Sequence, residues 1–195
     1  MELSIAKVAT LNPAVLKEMD VEQVLELHPL LDPSQFQFVK VQKTKPIKAK
    51  PLATILIDES VMSKMFLATL EGHQSLKSGS FVCWGVDNDV WQCSAKSIHD
   101  KYTPVSVDGL GWTLFEPKKD TPVDACLIDE RTFEFGPAGG FSVINPTWGD
   151  DRVVDGKAVY LHYGVAGDYV MRGLASEDDY YRIARKFFDN TYEMS

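Results

Sequence analysis

Apolar and polar positions alternate with a period of two in two separated stretches of this chain. The first, "GSFVCWGVDNDVWQCSAKSIHDKYTP" (Gly79–Pro104), sets aromatic and β-branched residues on either side of Asp87-Asn88. This pattern predicts a β-hairpin with the polar pair as its turn. The second, "GDYVMRGLASEDDYYRIARKFFDNTYE" (Gly167–Glu193), repeats the plan. Gly79, Val82 and Gly85 match Gly167, Val170 and Gly173 at a separation of 88, and Trp91, Ile98 and Tyr102 match Tyr181, Phe188 and Tyr192 at 90. The two additional residues fall in the turn, where insertions are tolerated. Turns centred on Asp87-Asn88 and Ser176-Glu177 predict Trp84 opposite Trp91 and Arg172 opposite Tyr181, the former an aromatic cross-strand pair.

A second echo lies upstream. "KPIKAKPLATILIDE" (Lys45–Glu59) and "EPKKDTPVDACLIDE" (Glu116–Glu130) share LIDE and the spacing of their prolines. Same order and same endings, with insertions in turn-like segments, predict a tandem duplication. The expected fold class is α+β, mainly β. It comprises a helical leader (1–36), a first β-rich unit (37–106) and a second (107–195) with a Gly-rich insertion at about 136–155, each unit ending in a short helix. In the leader, Asn12 reads as an N-cap with Pro13 behind it, and "DVEQVLELH" as a helix from Asp20 that stops at Pro29. One stretch is ambiguous. Tyr180, Ile183, Ala184, Phe187 and Phe188 have helical spacing. Its counterpart "VWQCSA" has none, so the prediction is a strand over 180–184 and a helix over 185–191.

Composition changes this picture little. The chain of 195 residues is 45% hydrophobic and carries a formal net charge of −8, which disfavours non-specific nucleic-acid binding. The local exception is Lys40, Lys43, Lys45, Lys48 and Lys50. These read as a solvated edge strand guarded by lysines, or else as contacts to a phosphate-bearing ligand or an acidic partner. No apolar run approaches the roughly 18 residues of a membrane span, and the N-terminus lacks a signal-peptide pattern, so a cytoplasmic location is expected. Cys83, Cys93 and Cys126 lack CxxC spacing and read as buried thiols.

Candidate chemistry is sparse. His28, His73, His99 and His162 have no metal-binding spacing and read as surface or helix-end residues. Asp150, Asp151 and Asp155, and "SEDD" at Ser176–Asp179, lack the DxDxDG arrangement and read as solvated turns. "GPAGG" at 136–140 reads as a mobile loop. With no nucleophile elbow, phosphate loop or dinucleotide fingerprint, no catalytic residue, metal or cofactor is expected.

Residues Lys43, Lys45, Pro46, Ile47 and Ala49, "TLEG" at Thr69–Gly72, and Gly79, Phe81, Gly85, Asp89, Trp91, Cys93, Ile98 and Tyr102 together carry a resemblance. They are similar to an uncharacterised family of small phage and prophage proteins with a KKPVxVxA…TLEG…GDYxxxG…IFxxxYE pattern. The second unit resembles its PGDYG-type relatives through Gly167-Asp168-Tyr169, Gly173, "YRIAR" at Tyr181–Arg185, Phe187 or Phe188, and "TYE" at Thr191–Glu193. Ser80 and Gln92 depart from the usual Asp and Pro. The resemblance implies a phage-like setting in a bacterial host and a compact β-rich module; it implies no reaction.

The shared positions have structural readings. Gly79 and Gly167 suit a left-handed turn conformation, Asp168 an acceptor for turn N–H groups, and Tyr102 and Tyr192 buried rings with wet hydroxyls. The expected function is a non-enzymatic module binding a small molecule or a protein in a cleft between the two units, with self-association left open. Trp84, Trp91, Arg172 and Tyr181 are the candidate contacts, against the reading that they are core packing. The alternative is a hydrolase or transferase with its site in the 139–155 insertion.

Overall fold

The computed structural model describes residues 13–54, 66–69, 72–146, 152–173 and 176–195. The chain is α+β and mainly β, and it forms two compact units, each discontinuous in sequence. Residues 1–41 and 123–190 make one, and residues 42–122 and 191–195 the other. These limits differ from the boundaries at 36 and 106 read from the sequence, because sheet pairing joins segments distant along the chain.

The first unit begins with α1 (Pro13–Glu18) and α2 (Val21–Leu27), followed by β1 (Val39–Lys43), whose last two residues belong to the second unit. Helix α2 follows Asp20 and ends before Pro29, although the Asp20 side chain makes no capping bond. Asn12 lies outside the described residues. Strands β9 (Val123–Leu127), β13 (Tyr169–Arg172) and β14 (Tyr180–Ile183) form an antiparallel sheet with β1, in the order β14-β13-β9-β1. Strands β10 (Gly140–Asn145), β11 (Arg152–Val154) and β12 (Lys157–Val165) form a second sheet, with β12 in the centre. Leu16 and Val24 pack with Val154, Val159 and Leu161, so the apolar stripe of α1 and α2 is buried on that sheet. Leu31, Ile128, Phe133, Phe141 and Val170 make the other core.

Helix α4 (Arg185–Thr191) follows β14 and buries Phe188. The helical spacing from Tyr180 is thus overridden as far as Ile183, because β14 takes up the free edge of β13 in register. "GPAGG" is not an open loop. The Gly136 N–H donates to the Gly140 carbonyl and that of Gly139 to the Gly136 carbonyl, while Gly136 approaches the Leu27 carbonyl too closely to admit a side chain.

The second unit holds β2 (Ile47–Pro51), β5 (Ser80–Trp84), β6 (Val90–Ser94), α3 (Ala95–Lys101), β7 (Tyr102–Val107) and β8 (Thr113–Pro117). Their sheet order is β6-β5-β2-β8-β7. A small hairpin joins β3 (Phe66–Thr69) and β4 (Gly72–Ser75), and β15 (Tyr192–Met194) closes the chain. The lysine-rich β2 is therefore an interior strand rather than an edge, with β5 on one side and β8 on the other. Its alternation still holds: Ile47 and Ala49 are buried while Lys48 and Lys50 face out. The LIDE of the first upstream echo, at 56–59, lies outside the described residues.

Both hairpins are one residue out of the predicted register. Trp84 pairs with Val90, and Cys83 with Trp91; Arg172 pairs with Tyr180, and Met171 with Tyr181. In the first, Val86–Asn88 form a 3₁₀ turn closed by the Gly85 N–H on the Asp89 carbonyl, so the loop is centred on Asp87 rather than between Asp87 and Asn88. In the second, the Gly173 N–H closes on the Asp179 carbonyl in the same way. A one-residue slip moves every side chain to the other face. Each predicted pair is thereby divided between opposite faces of its sheet.

Candidate functional site

The face of the second unit's sheet that carries Trp91 is its core. Ile47, Ala49, Cys83, Ile98, Tyr102 and Phe115 are buried there, and Phe81, Trp91 and Cys93 pack against them. The opposite face carries the row Val90, Trp84, Lys48, Leu114 across four neighbouring strands. Trp84 is 45% exposed, and its ring meets Trp112 edge-on at 6.0 Å.

The loop from Asp108 to Trp112 builds this arrangement. The Asp108 carboxylate accepts from the N–H groups of Leu110 and Trp112 at 2.9 and 3.0 Å. Lys50 reaches the Leu110 carbonyl at 2.7 Å, and Lys48 pairs with Asp108 at 3.4 Å. The Trp112 N–H holds the Asp108 carboxyl below its ordinary value. The result is an exposed indole opposite Lys48 on the neighbouring strand, with Lys50 two residues further along the same strand. Such a face can hold an apolar or planar group on Trp84 while an attached anion competes with Asp108 for Lys48.

Arg172 and Tyr181 lie in the other unit, apart from each other. The Tyr181 ring is buried, whereas the Arg172 guanidinium lies 4.6 Å over the Phe38 ring and hydrogen-bonds Asp124. Lys40 joins the same carboxylate at 2.7 Å. Burial pushes the Asp124 carboxyl up, but Lys40 and Arg172 outweigh it and hold it below its ordinary value. Among the four residues singled out from sequence, Trp84 and Arg172 reach the surface among polar groups; Trp91 and Tyr181 are packed inward. Sequence reasoning missed Trp112, which lies outside the matched stretches of the two units, and Asp124, whose partners Lys40 and Arg172 come from the two strands beside its own.

The remaining candidates resolve differently. Gly79 and Gly167 have φ of 75° and 91°, as their turns require. Asp168 accepts from the Val165 N–H at 3.1 Å and from Arg182 Nε at 2.8 Å. The Tyr102 hydroxyl is bound by Lys43 Nζ at 2.7 Å rather than by solvent. His28 is the C-cap residue of α2, a helix-end position as expected, and is buried; His162 is buried within β12, at neither a surface nor a helix end. Asp179 is also buried, where it accepts from Asn145 Nδ2 at 2.9 Å. In the 139–155 insertion, Asp150 and Asp151 lie outside the described residues, and Asp155 sits in the β11–β12 turn. Among the described residues there is no cluster of three metal-binding side chains, and no helix is long and apolar enough to cross a membrane. A scan against protein-family models found no match, and searches of the curated proteins and of the solved structures found none.

Proposed function

We propose that this chain is a non-enzymatic binding module whose contact surface is the Trp84 face of the second unit. One observation carries the reading: a tryptophan 45% exposed on a sheet face, met edge-on by Trp112 and set opposite Lys48 on the neighbouring strand. Aromatic residues are enriched at protein interfaces, and exposed apolar patches rimmed by polar residues mark interaction sites. The ligand class is a small molecule or protein segment that presents an apolar or planar group next to a carboxylate or phosphate.

The module is a duplicated one of phage-like type, on this reading. Support comes from the order of elements. Strands β1, β2, β5, β6, helix α3 and β7 run in the same order as β8, β9, β13, β14, helix α4 and β15. The strand orders β6-β5-β2-β8 and β14-β13-β9-β1 match position by position once the first strand of each copy is exchanged for the other's.

The test is native mass spectrometry of the untagged protein before and after exposure to bacterial metabolite and protein extract. A retained mass that is lost in Trp84→Ala supports the reading. A bare protein mass in both samples, or a retained mass unaffected by Trp84→Ala, overturns it.

A further inference from the structure

Helices α1 and α2 dock on the sheet of β10, β11 and β12 through a polar seam and an apolar patch. Along the seam, the Ser142 hydroxyl donates to the His28 carbonyl at 2.8 Å. The Ser142 N–H donates to the Pro29 carbonyl at 2.8 Å, and the Leu31 N–H to the Ser142 carbonyl at 3.0 Å. The patch sets Leu16 and Val24 against Val154, Val159, Leu161 and Tyr163. Arg152 of β11 adds two bonds, to the carbonyls of Leu16 and Met19. Helices of six and seven residues do not persist alone in water, so α1 and α2 last only while this docking holds.

The His28 side chain sits in the seam. It is 7% exposed, and neither ring nitrogen has a hydrogen-bond partner among the described residues. Gly140 of β10 lies so close that a side chain there would collide with His28 Nδ1. Tyr163 of β12 presents its ring edgewise, with centroids 6.0 Å apart. The remaining charged groups on the packed elements are turned elsewhere. Glu22 and Glu26 of α2, Asp32, Glu134 and Lys157 are exposed, and Arg152 is taken up by the α1 carbonyls. His162 falls on the opposite face of β12 from Tyr163 by alternation. Burial accounts for the lowered His28 pKa, with no contribution from a charged neighbour. The imidazole is packed as though it were an apolar ring, and no carboxylate stands ready to receive it as a cation.

We propose that His28 is an acid-operated latch: on gaining a proton its ring leaves the seam, and α1 and α2 detach from the sheet while the rest of the chain stays folded. An imidazolium carries an N–H donor on both nitrogens and needs an acceptor for each. Buried without them it is strongly disfavoured, whereas in the open form water supplies both. Leu31 anchors the chain beyond the latch, because it is buried in the other core of this unit. Opening bares Val159, Leu161 and Tyr163, which α1 and α2 cover when docked.

The sign follows from the closed form binding the proton less readily than the open one. Above pH 6.5 opening gains nothing from His28. Below it, each unit of pH multiplies the open population by up to about tenfold, until the closed form also takes the proton.

Hydrogen exchange of the full-length chain, read by mass at about pH 7.5 and about pH 5.5 and corrected for the intrinsic pH dependence of exchange, tests the latch. Amides of residues 21–28 should exchange up to about tenfold faster at the lower pH, while those of β2, β5 and β8 keep their protection. His28→Phe retains a ring and cannot charge, so its α2 protection should be the same at both pH values. If that variant does not fold, His28→Gln takes its place. Unchanged α2 protection in the wild type, equal acceleration in both units, or a pH response that survives the substitution would each overturn the proposal.

Discussion

Replacing Gly173 by alanine tests how the β13–β14 hairpin is held. A Cβ at this position would stand 1.9 Å from Asp179 Oδ2, 2.5 Å from its Cγ and 3.2 Å from its carbonyl oxygen. Asp179 cannot retreat freely, because its other carboxylate oxygen accepts from the fully buried Asn145 and its carbonyl accepts from the Gly173 N–H. Overpacking at such a site costs about 1–3 kcal/mol, and a buried hydrogen bond left unmade about 1–3 kcal/mol more. Restricting the unfolded chain returns about 0.4–1 kcal/mol. The expected net loss is about 2–4 kcal/mol, or a fall in Tm of roughly 5–15 °C for a chain of this size. Urea and thermal unfolding measure it. Adding Asp179→Ala should make the alanine at 173 nearly neutral, since the clash leaves with the carboxylate. Gly79→Ala is the comparison: nothing lies within 4 Å, so its cost is the left-handed backbone alone, about 1–2 kcal/mol. If Gly173→Ala melts no lower than Gly79→Ala, or the second substitution brings no recovery, the close-approach argument is wrong.

Trp91→Ala should destabilise the second unit by about 3–5 kcal/mol as a core truncation, whereas Trp84→Ala should cost under about 1 kcal/mol as a surface change. Comparable denaturation midpoints for the two would refute their assignment to opposite faces. Burial lowers the His28 pKa from its ordinary 6.5, so the folded state binds its proton less readily than the unfolded chain. Stability due to His28 is thus complete above pH 6.5 and declines as pH falls below it. Urea midpoints at several pH values should show that decline in the wild type and a shallower one in His28→Gln. Asp124→Asn should cost about 1 kcal/mol at neutral pH, since Lys40 and Arg172 are both partly exposed. The loss should shrink as the medium is acidified below pH 3.8, towards the lowered folded value of Asp124, and a pH-independent loss would point to packing instead.

Much of the local structure was legible in the residues. Turn chemistry at Asp87-Asn88, the glycines at 79 and 167, and the matching "VWQCSA" and "YRIARK" stretches located hairpins followed by short helices. The site was less legible. Trp84 was identifiable as an aromatic on an alternating strand, but alternation assigns faces only when the register is known, and the 3₁₀ turn at Val86–Asn88 shifted it by one residue. That shift put Trp91 in the core and brought in Trp112 as the partner of Trp84, from a loop that resembles no other part of the chain.

By itself, the sequence determined that this chain builds antiparallel sheets from period-two segments, with glycine and aspartate closing the turns. Only the tertiary structure decided which strands are neighbours. β1 and β2 are separated by three residues, Thr44 to Pro46, yet do not pair; β1 lies against β9, and β2 takes β8. The physical reason is that the ladder is made of backbone groups common to every residue. Side-chain alternation tells a strand which face to bury, while the identity of its neighbour depends on which apolar faces meet across the whole core.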